Sequence, residues 1–343
     1  MTIHEAILQL LRHESLTADE AAAVMTTIME GEATSVLVAT LLTALRMKGE
    51  SVEEIAGFAR VMRAKAIRIA PRCTPLVDTC GTGGARRKLF NISTAAAFVV
   101  AGAGVAVAKH GNRAASSRCG AADVLEALGV SLAVPPEFVT ECIERIGVGF
   151  LFAQHFHPSM KYAGPVRREL GFRTVFNVLG PLTNPAGAQC QVMGVYDPDL
   201  TEPLARVLGL LGSTRAYVVH GLIGLDEWST VGSTQVSELR DGQVTTRLYT
   251  AQEVGVPEAD IAELDGGDAL ENAEIIYRLF RGDGGAKRDI VLVNAAAALC
   301  AAGKATDLQD GMQQAACSID SGAAMEKLHA LREMTQGKAA SLA

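Results

Sequence analysis

Three stretches of this sequence gather residue types suited to holding an anion and a hard cation. Residues 77–94 read Val-Asp-Thr-Cys-Gly-Thr-Gly-Gly-Ala-Arg-Arg-Lys-Leu-Phe-Asn-Ile-Ser-Thr. A strand-like lead-in reaches a turn containing Gly81, Gly83 and Gly84, and Asn91, Ile92, Ser93 and Thr94 then open an alanine-rich helix over 95–101. Glycines let backbone approach a ligand closely, and the unpaired N–H groups of a helix start favour an anion. Strand, glycine turn and hydroxyl-bearing helix start predict a phosphate cradle, against the alternative of a tight turn with no ligand. Neither G-x-G-x-x-G nor G-K-[ST] is present, so this is not a dinucleotide or P-loop fingerprint.

The second stretch, Lys109-His110-Gly111-Asn112-Arg113, follows an apolar strand expected over 105–108 and leads into Ser116 and Ser117. Ligand groups in α/β proteins collect beyond the carboxyl ends of strands. A lysine and two serines suit phosphate oxygens, while His110 and Asn112 suit an aromatic or carboxylate group; a solvated basic loop is the alternative. Third, Asp226-Glu227 follows a strand expected over 216–219. Adjacent carboxylates there suit an oxygen-liganded cation such as Mg²⁺, or simply cap the next segment. A basic segment carries Arg167, Arg168 and Arg173, whose planar forks suit a carboxylate, with at least one expected on a solvated face.

The elements that position these residues are legible from pattern. At 343 residues the chain is long enough for two domains. The first seventy read as helices only: Thr17 with Glu20 and Ser51 with Glu54 fit capping boxes, and Gly31 and Gly49 fit helix stops. From about residue 75, short apolar strands (105–108, 191–196, 216–219) alternate with helices (121–128, 200–211, 272–280, 289–302), which predicts an α/β domain around a largely parallel sheet. Alternation over 234–250 around Asp241-Gly242 predicts a hairpin. The expected division is a small helical domain, 1–70, joined by a returning segment near 162–184, and a large α/β domain, 71–343. The tail beyond Met334 is polar and expected to fray.

Composition excludes several classes. No apolar run reaches membrane-spanning length, and no basic-then-apolar leader opens the chain. Seven cysteines without a C-x-x-C pair predict thiols in a reducing cytosol, so a cytoplasmic protein. A net charge of −7 argues against a nucleic-acid-coating role.

Longer runs carry a family resemblance. G-T-G-G, then F-N-I-S-T-A-A-A-F, K-H-G-N-R-x-x-S-S-x-x-G-x-A-D-x-L-E-x-L-G, H-P-x-M-K-Y-A-G-P-V-R-R-E-L-G-F-R-T-V-F-N-x-L-G-P-L-T-N-P and G-x-D-E occur in order over nearly the whole chain. In these motifs the chain resembles the anthranilate phosphoribosyltransferases, a branch of the nucleoside-phosphorylase-like phosphoribosyltransferases that serves tryptophan biosynthesis. The resemblance implies transfer of the phosphoribosyl group of phosphoribosyl diphosphate to the amine of anthranilate, with Mg²⁺ as cofactor and a homodimer formed through the helical domain. Gly81, Gly84, Asn91, Ile92, Ser93, Thr94, Lys109, Asn112, Arg113, Ser116 and Ser117 match its phosphoribosyl diphosphate positions. Gly81, Asn112 and Arg167, with His110 nearby, match its anthranilate contacts, and Ser93, Asp226 and Glu227 its metal ligands. Arg173 matches no contact, and no residue is assigned as general acid or base. A glutaminase partner is not legible in the sequence. Two alternatives share the fold: an enzyme of this class with another acceptor, and a non-catalytic binding paralogue, against which the negative charge and the Asp226-Glu227 pair weigh.

Three positions depart from the family pattern, all on the diphosphate side: Ala85 where an Asp is usual, and Leu89 and Ala121 where hydroxyl residues are usual. Arg86, Arg87 and Lys88 follow directly and make this loop more positive than the pattern. A carboxylate there would hold a hydrated metal and repel bare diphosphate. Ala85→Asp is therefore expected to sharpen the Mg²⁺ optimum of turnover, whereas superimposable Mg²⁺ titrations of the two forms would exclude position 85 from metal handling.

Overall fold

The computed structural model describes the whole chain except residues 85, 86, 88, 115–117 and 343. The expectations on Ala85, Arg86, Lys88, Ser116 and Ser117 thus lie outside the described residues.

Four helices open the chain: α1 (Ile3–Leu11), α2 (Ala18–Glu30), α3 (Ser35–Lys48) and α4 (Val52–Lys65). Thr17 and Ser51 accept from the backbone N–H of Glu20 and Glu54, whose carboxylates bond back to the cap N–H groups, so both expected capping boxes form. Gly31 ends α2 at φ 79°, in the left-handed region. Glu54 is fully buried and does more than cap: it accepts from Leu16 N and pairs with Lys48 at 2.9 Å, tying the α1–α2 connection and α3 to α4.

The α/β part then runs β1 (Leu76–Asp78), α5 (Ile92–Gly102), β2 (Ala106–Gly111), α6 (Ala121–Ala127), α7 (Pro136–Ile146), β3 (Val148–Phe152), α8 (Ala153–Phe156), α9 (Gly164–Leu170), α10 (Phe176–Leu182), β4 (Cys190–Gly194), α11 (Thr201–Leu210), β5 (Arg215–Gly221), β6 (Ser233–Arg240), β7 (Gln243–Thr250), α12 (Ala269–Phe280), α13 (Ala286–Ala301), α14 (Leu308–Asp320) and α15 (Ala323–Leu342). The sheet order is β3-β2-β1-β4-β5-β6-β7; the first five strands are parallel, and β6 and β7 are antiparallel. The fold is thus a helical N-terminal domain with a large α/β domain. β6 and β7 turn at Asp241 and Gly242, both at positive φ, as the Asp-Gly signal predicts.

β1, β3 and β4 are buried throughout, and the continuous apolar β3 reads Val-Gly-Phe-Leu-Phe, as expected of strands covered on both faces. Helices α5 and α13 are buried almost all round because they pack on each other and on the sheet. On the other face the core of the N-terminal helices continues through Val166, Phe176 and Leu179 of α9 and α10 to Met193 and Val218 of the sheet. Arg63 of α4 bonds the carbonyls of Leu182 and Leu211, at the C-termini of α10 and α11.

Two expectations are corrected. Lys109, His110 and Gly111 are not loop residues; they extend β2, because β3 pairs with all three and Asp78 accepts from His110 N. The tail does not fray at Met334. Helix α15 continues to Leu342, with Leu328 and Leu331 buried, Thr335 Oγ1 accepting from Ser131 N and Gln336 donating to Gly129 O.

Candidate active site

The parallel strands all present their carboxyl ends on one edge, and the chain direction out of the sheet reverses between β1 and β4, the switch point where α/β sheets bind ligands. The glycine turn leaves β1 at that place. Thr82 N donates to Gly194 O at 2.8 Å and Thr82 Oγ1 accepts from Tyr196 N, which clamps the turn to the end of β4. Gly194 is there because nothing larger fits: a Cβ would lie 1.7 Å from Asp226 O, and a Cβ on Gly81 would lie 2.9 Å from Gly194 O. Gly83 and Gly84 both take positive φ.

Across this crevice, Asp226 and Glu227 face the turn. The backbone N–H of Gly83 lowers the Asp226 carboxyl, and that of Ser93, in the first turn of α5, lowers Glu227. Both residues keep some exposure to the cleft but are otherwise ringed by protein. Desolvation raises both carboxyls above their ordinary range, and Glu227 is pushed further by its repulsion from Asp226. Lys109 is the opposing charge: buried, it donates to Thr79 O at 3.1 Å and to Ser93 Oγ at 3.3 Å, and its field lowers Glu227. Ser93, Lys109, Asp226, Glu227 and the turn 81–84 are therefore brought together. Thr94 Oγ1 is buried with no partner among the described residues, and Ile92 is buried beside it.

Other predicted residues are engaged elsewhere. The Asn91 side chain donates to Cys119 O and accepts from Asn272, bracing the entry to α5. Arg113 is held by Asp123 and by both oxygens of Glu126, the latter pair at 3.0 Å for Nη2. Asn112 is exposed, its Oδ1 accepting from Arg113 N and from Gln154. Arg87 lies 3.7 Å from Asp265 at the surface.

Of the residues expected on the acceptor side, Arg167 and His110 both contact α10, whereas Asn112 and Gly81 do not. Arg167 of α9 lies over the Phe176 ring at 5.3 Å, half-buried, and burial lowers its pKa. Among the described residues no carboxylate pairs with it. His110 bonds Gly180 O through Nδ1 at 3.1 Å, from the far end of the same helix.

Three residues beyond the predicted set hold this arrangement. Asp78 is fully buried at the end of β1, where it accepts from His110 N and from Asn184 Nδ2 at 2.7 Å, and Asn184 also donates to Ala108 O. Burial raises Asp78 to about 6 against the lowering field of Lys109. Its one sequence signal is a carboxylate ending an apolar strand. Asp78, Cys80 and His110 have ligand atoms within 4.8 Å of one another. Asp78 and His110 are engaged in the bonds above and Cys80 Sγ bonds Gly81 O, so the cluster reads as a brace. Arg173, exposed as expected of a solvated face, nonetheless donates to Gly84 O at 2.8 Å and stacks 3.9 Å over Tyr196. It joins the segment carrying Arg167 to the glycine turn. Arg173→Ala is expected to weaken the binding of a phosphate-bearing ligand at the glycine turn by about 3- to 10-fold, as loss of one hydrogen bond and one cation–π contact would. Calorimetric titration of the wild type and variant checks this, with thermal stability expected to change little.

A helical bundle against an α/β sheet, with a glycine turn and paired carboxylates at the switch point, is the arrangement that comparison with known proteins places in the glycosyl transferase family. The helical bundle domain of the glycosyl transferase family matches residues 4–66 and its a/b domain residues 73–325. An anthranilate phosphoribosyltransferase from Moorella thermoacetica is 57% identical over 318 residues, 93% of this chain and 94% of its own length. The crystal structure of anthranilate phosphoribosyltransferase from Thermus thermophilus superposes with a TM-score of 0.92 at 47% identity, covering 96% of this chain and 99% of that one. The Saccharomyces cerevisiae enzyme in complex with PRPP and Mg superposes with a TM-score of 0.86 at 27% identity, covering 98% of both chains. The chain belongs to the anthranilate phosphoribosyltransferase family. Among its described residues no helix is long and apolar enough to cross a membrane.

Proposed function

We propose that this chain transfers the phosphoribosyl group of phosphoribosyl diphosphate to the amine of anthranilate, releasing diphosphate, as a step of tryptophan biosynthesis. The observation that carries the reading is the adjacent carboxylates Asp226 and Glu227 at the mouth of the glycine turn, with Asp226 packed against Gly194 at the end of β4 and Lys109 bonded to Ser93 at the start of α5.

The residues present fit Mg²⁺. Asp226, Glu227 and the Ser93 hydroxyl offer an all-oxygen donor set, with Lys109 as the compensating charge for Glu227 and His220 and Arg173 for Asp226. When bound, the ion neutralises charge on the diphosphate. The chain's own groups do the rest. The turn 81–84 and the first N–H groups of α5 point at the leaving group, where negative charge builds as the ribose C1–O bond breaks. Lys109 adds a fixed positive charge at the same place. Arg167 takes the acceptor carboxylate, which turns the amine toward the opposite face of C1 and holds the reactants in line. An arylamine is unprotonated at neutral pH, so its lone pair attacks without a strong base. Closure of the N-terminal helices over the cleft would exclude water, the competing acceptor.

The test is loss of anthranilate fluorescence in the presence of phosphoribosyl diphosphate and Mg²⁺. Turnover of another aromatic amine, or phosphorolysis of a nucleoside, with anthranilate untouched would overturn the assignment of the acceptor. No turnover of any of them would support a binding role.

A further inference from the structure

His157 follows α8 and has no part in the reaction described above. It lies buried against His110 with the two Nε2 atoms 3.2 Å apart and the rings tilted by 53°. A third partner sets the hydrogen-bond roles in this pair. Gly180 O is a carbonyl at the C-terminal end of α10 and can only accept, so His110 Nδ1 carries a proton. A neutral His110 then has a bare Nε2. The contact between the two Nε2 atoms requires a single proton, so it is His157 Nε2–H that donates. The chain of bonds runs from His157 through His110 to Gly180, with one proton in each contact. Burial supports neutrality of both rings, since it depresses His110 to about 3 and His157 to about 4.

We propose that His157 is a positioning residue of the acceptor pocket: its Nε2–H locks His110 as the Nδ1–H tautomer with both ring nitrogens engaged. His110 then offers an acceptor only the carbon edge of its ring. It is an uncharged wall rather than a base, which leaves the orientation of a carboxylate-bearing acceptor to Arg167. The proposal rests on the acceptor reading given above, and it also accounts for a base-free reaction: the lone pair a base would need is occupied by a donor. His157 Nε2 is itself donating, so the pair hands no proton outward from the pocket.

The test uses the full-length protein with ¹⁵N-labelled histidine rings, assigned with His110→Gln and His157→Gln. Long-range ¹H–¹⁵N correlation at neutral pH is expected to show His110 protonated at Nδ1 and His157 at Nε2; the reverse pattern, or a charged ring in either residue, overturns the proposal. Kinetically, His157→Phe removes the donor and is expected to raise the KM for anthranilate about 5- to 10-fold, the effect of losing one neutral hydrogen bond, with the KM for phosphoribosyl diphosphate within about twofold of wild type. His157→Gln keeps an N–H donor and is expected to restore most of that loss. An unchanged anthranilate KM in a folded His157→Phe protein, or no rescue by Gln, overturns it. If the wild type does not use anthranilate at all, the acceptor reading fails while the ring ¹⁵N pattern still decides the tautomers.

Discussion

Asp226→Asn combined with Glu227→Gln is expected to leave a folded protein whose Mg²⁺-dependent turnover falls by at least about 10³-fold, since metal charge stabilisation contributes several kcal/mol to such transition states. The same substitution is expected to change the pH dependence of stability. Burial raises both carboxyls above their unfolded values, and the charge of Asp226 raises Glu227 further. A group raised in this way contributes stability that is fully present below its unfolded pKa and is lost as pH rises through its folded pKa, because the folded state must then hold the charge. Metal-free wild type should therefore lose thermal stability as pH climbs above the ordinary carboxylate range, and Mg²⁺ should restore it. The Asn/Gln form should lose this share of the decline, keeping only that of the other raised carboxyls such as buried Asp78, and should show no Mg²⁺ rescue. Thermal unfolding from about pH 5 to 9, with and without Mg²⁺, reads both. A variant that unfolds outright, or that keeps a wild-type response to Mg²⁺, would mean that the two carboxylates only cap the segment that follows them.

Local chemistry is the legible part of this fold. Capping boxes at Thr17 and Ser51, the αL stop at Gly31 and the Asp241-Gly242 turn each depend on residues close in sequence, and each forms as the pattern predicts. Strand β3 is not legible, because Val148–Phe152 is a short apolar run without alternation, flanked by helices. Without β3, Lys109, His110 and Gly111 read as a loop, since their place in the sheet depends on pairing with Phe150, Leu151 and Phe152.

The candidate site divides in the same way. Its glycine turn, its helix start and its carboxylate pair are each contiguous in sequence, and the sheet order brings them to one crevice. The long-range polar braces have no such signature. Asp78 finds Asn184 across 106 positions, and Arg173 finds Gly84 across 89. His157 finds His110 across 47. None has a local pattern, because a buried polar group is satisfied by whatever the fold brings near it. Arg173 marks the limit of reading by residue type: an arginine near two others in a polar segment looks merely solvated, yet its guanidinium lies over Tyr196.

Arg167 is the member of that basic segment whose removal should matter most to the acceptor. Arg168 beside it is exposed, whereas Arg167 is half-buried on Phe176, with no carboxylate partner among the described residues and its pKa lowered by desolvation. A guanidinium taken partly out of water without a counter-ion carries an unmet electrostatic demand, and in the proposed function an acceptor carboxylate would meet it through two parallel N–H bonds. Arg167→Ala is expected to reduce kcat/KM for anthranilate by roughly 30- to 150-fold, equivalent to about 2–3 kcal/mol for a charge-assisted pair. The KM for phosphoribosyl diphosphate should stay near its wild-type value, because Arg167 belongs to α9 and the proposed diphosphate site is the turn 81–84 and the start of α5. Arg167→Lys should recover only part of the loss, since a point charge on a flexible stem cannot reproduce the bidentate fork or the packing against Phe176. Steady-state kinetics with each substrate varied in turn separates the outcomes. Loss confined to phosphoribosyl diphosphate would place Arg167 on the wrong substrate, and an equal loss for both would point to a disturbed α9–α10 packing instead of a missing anion contact.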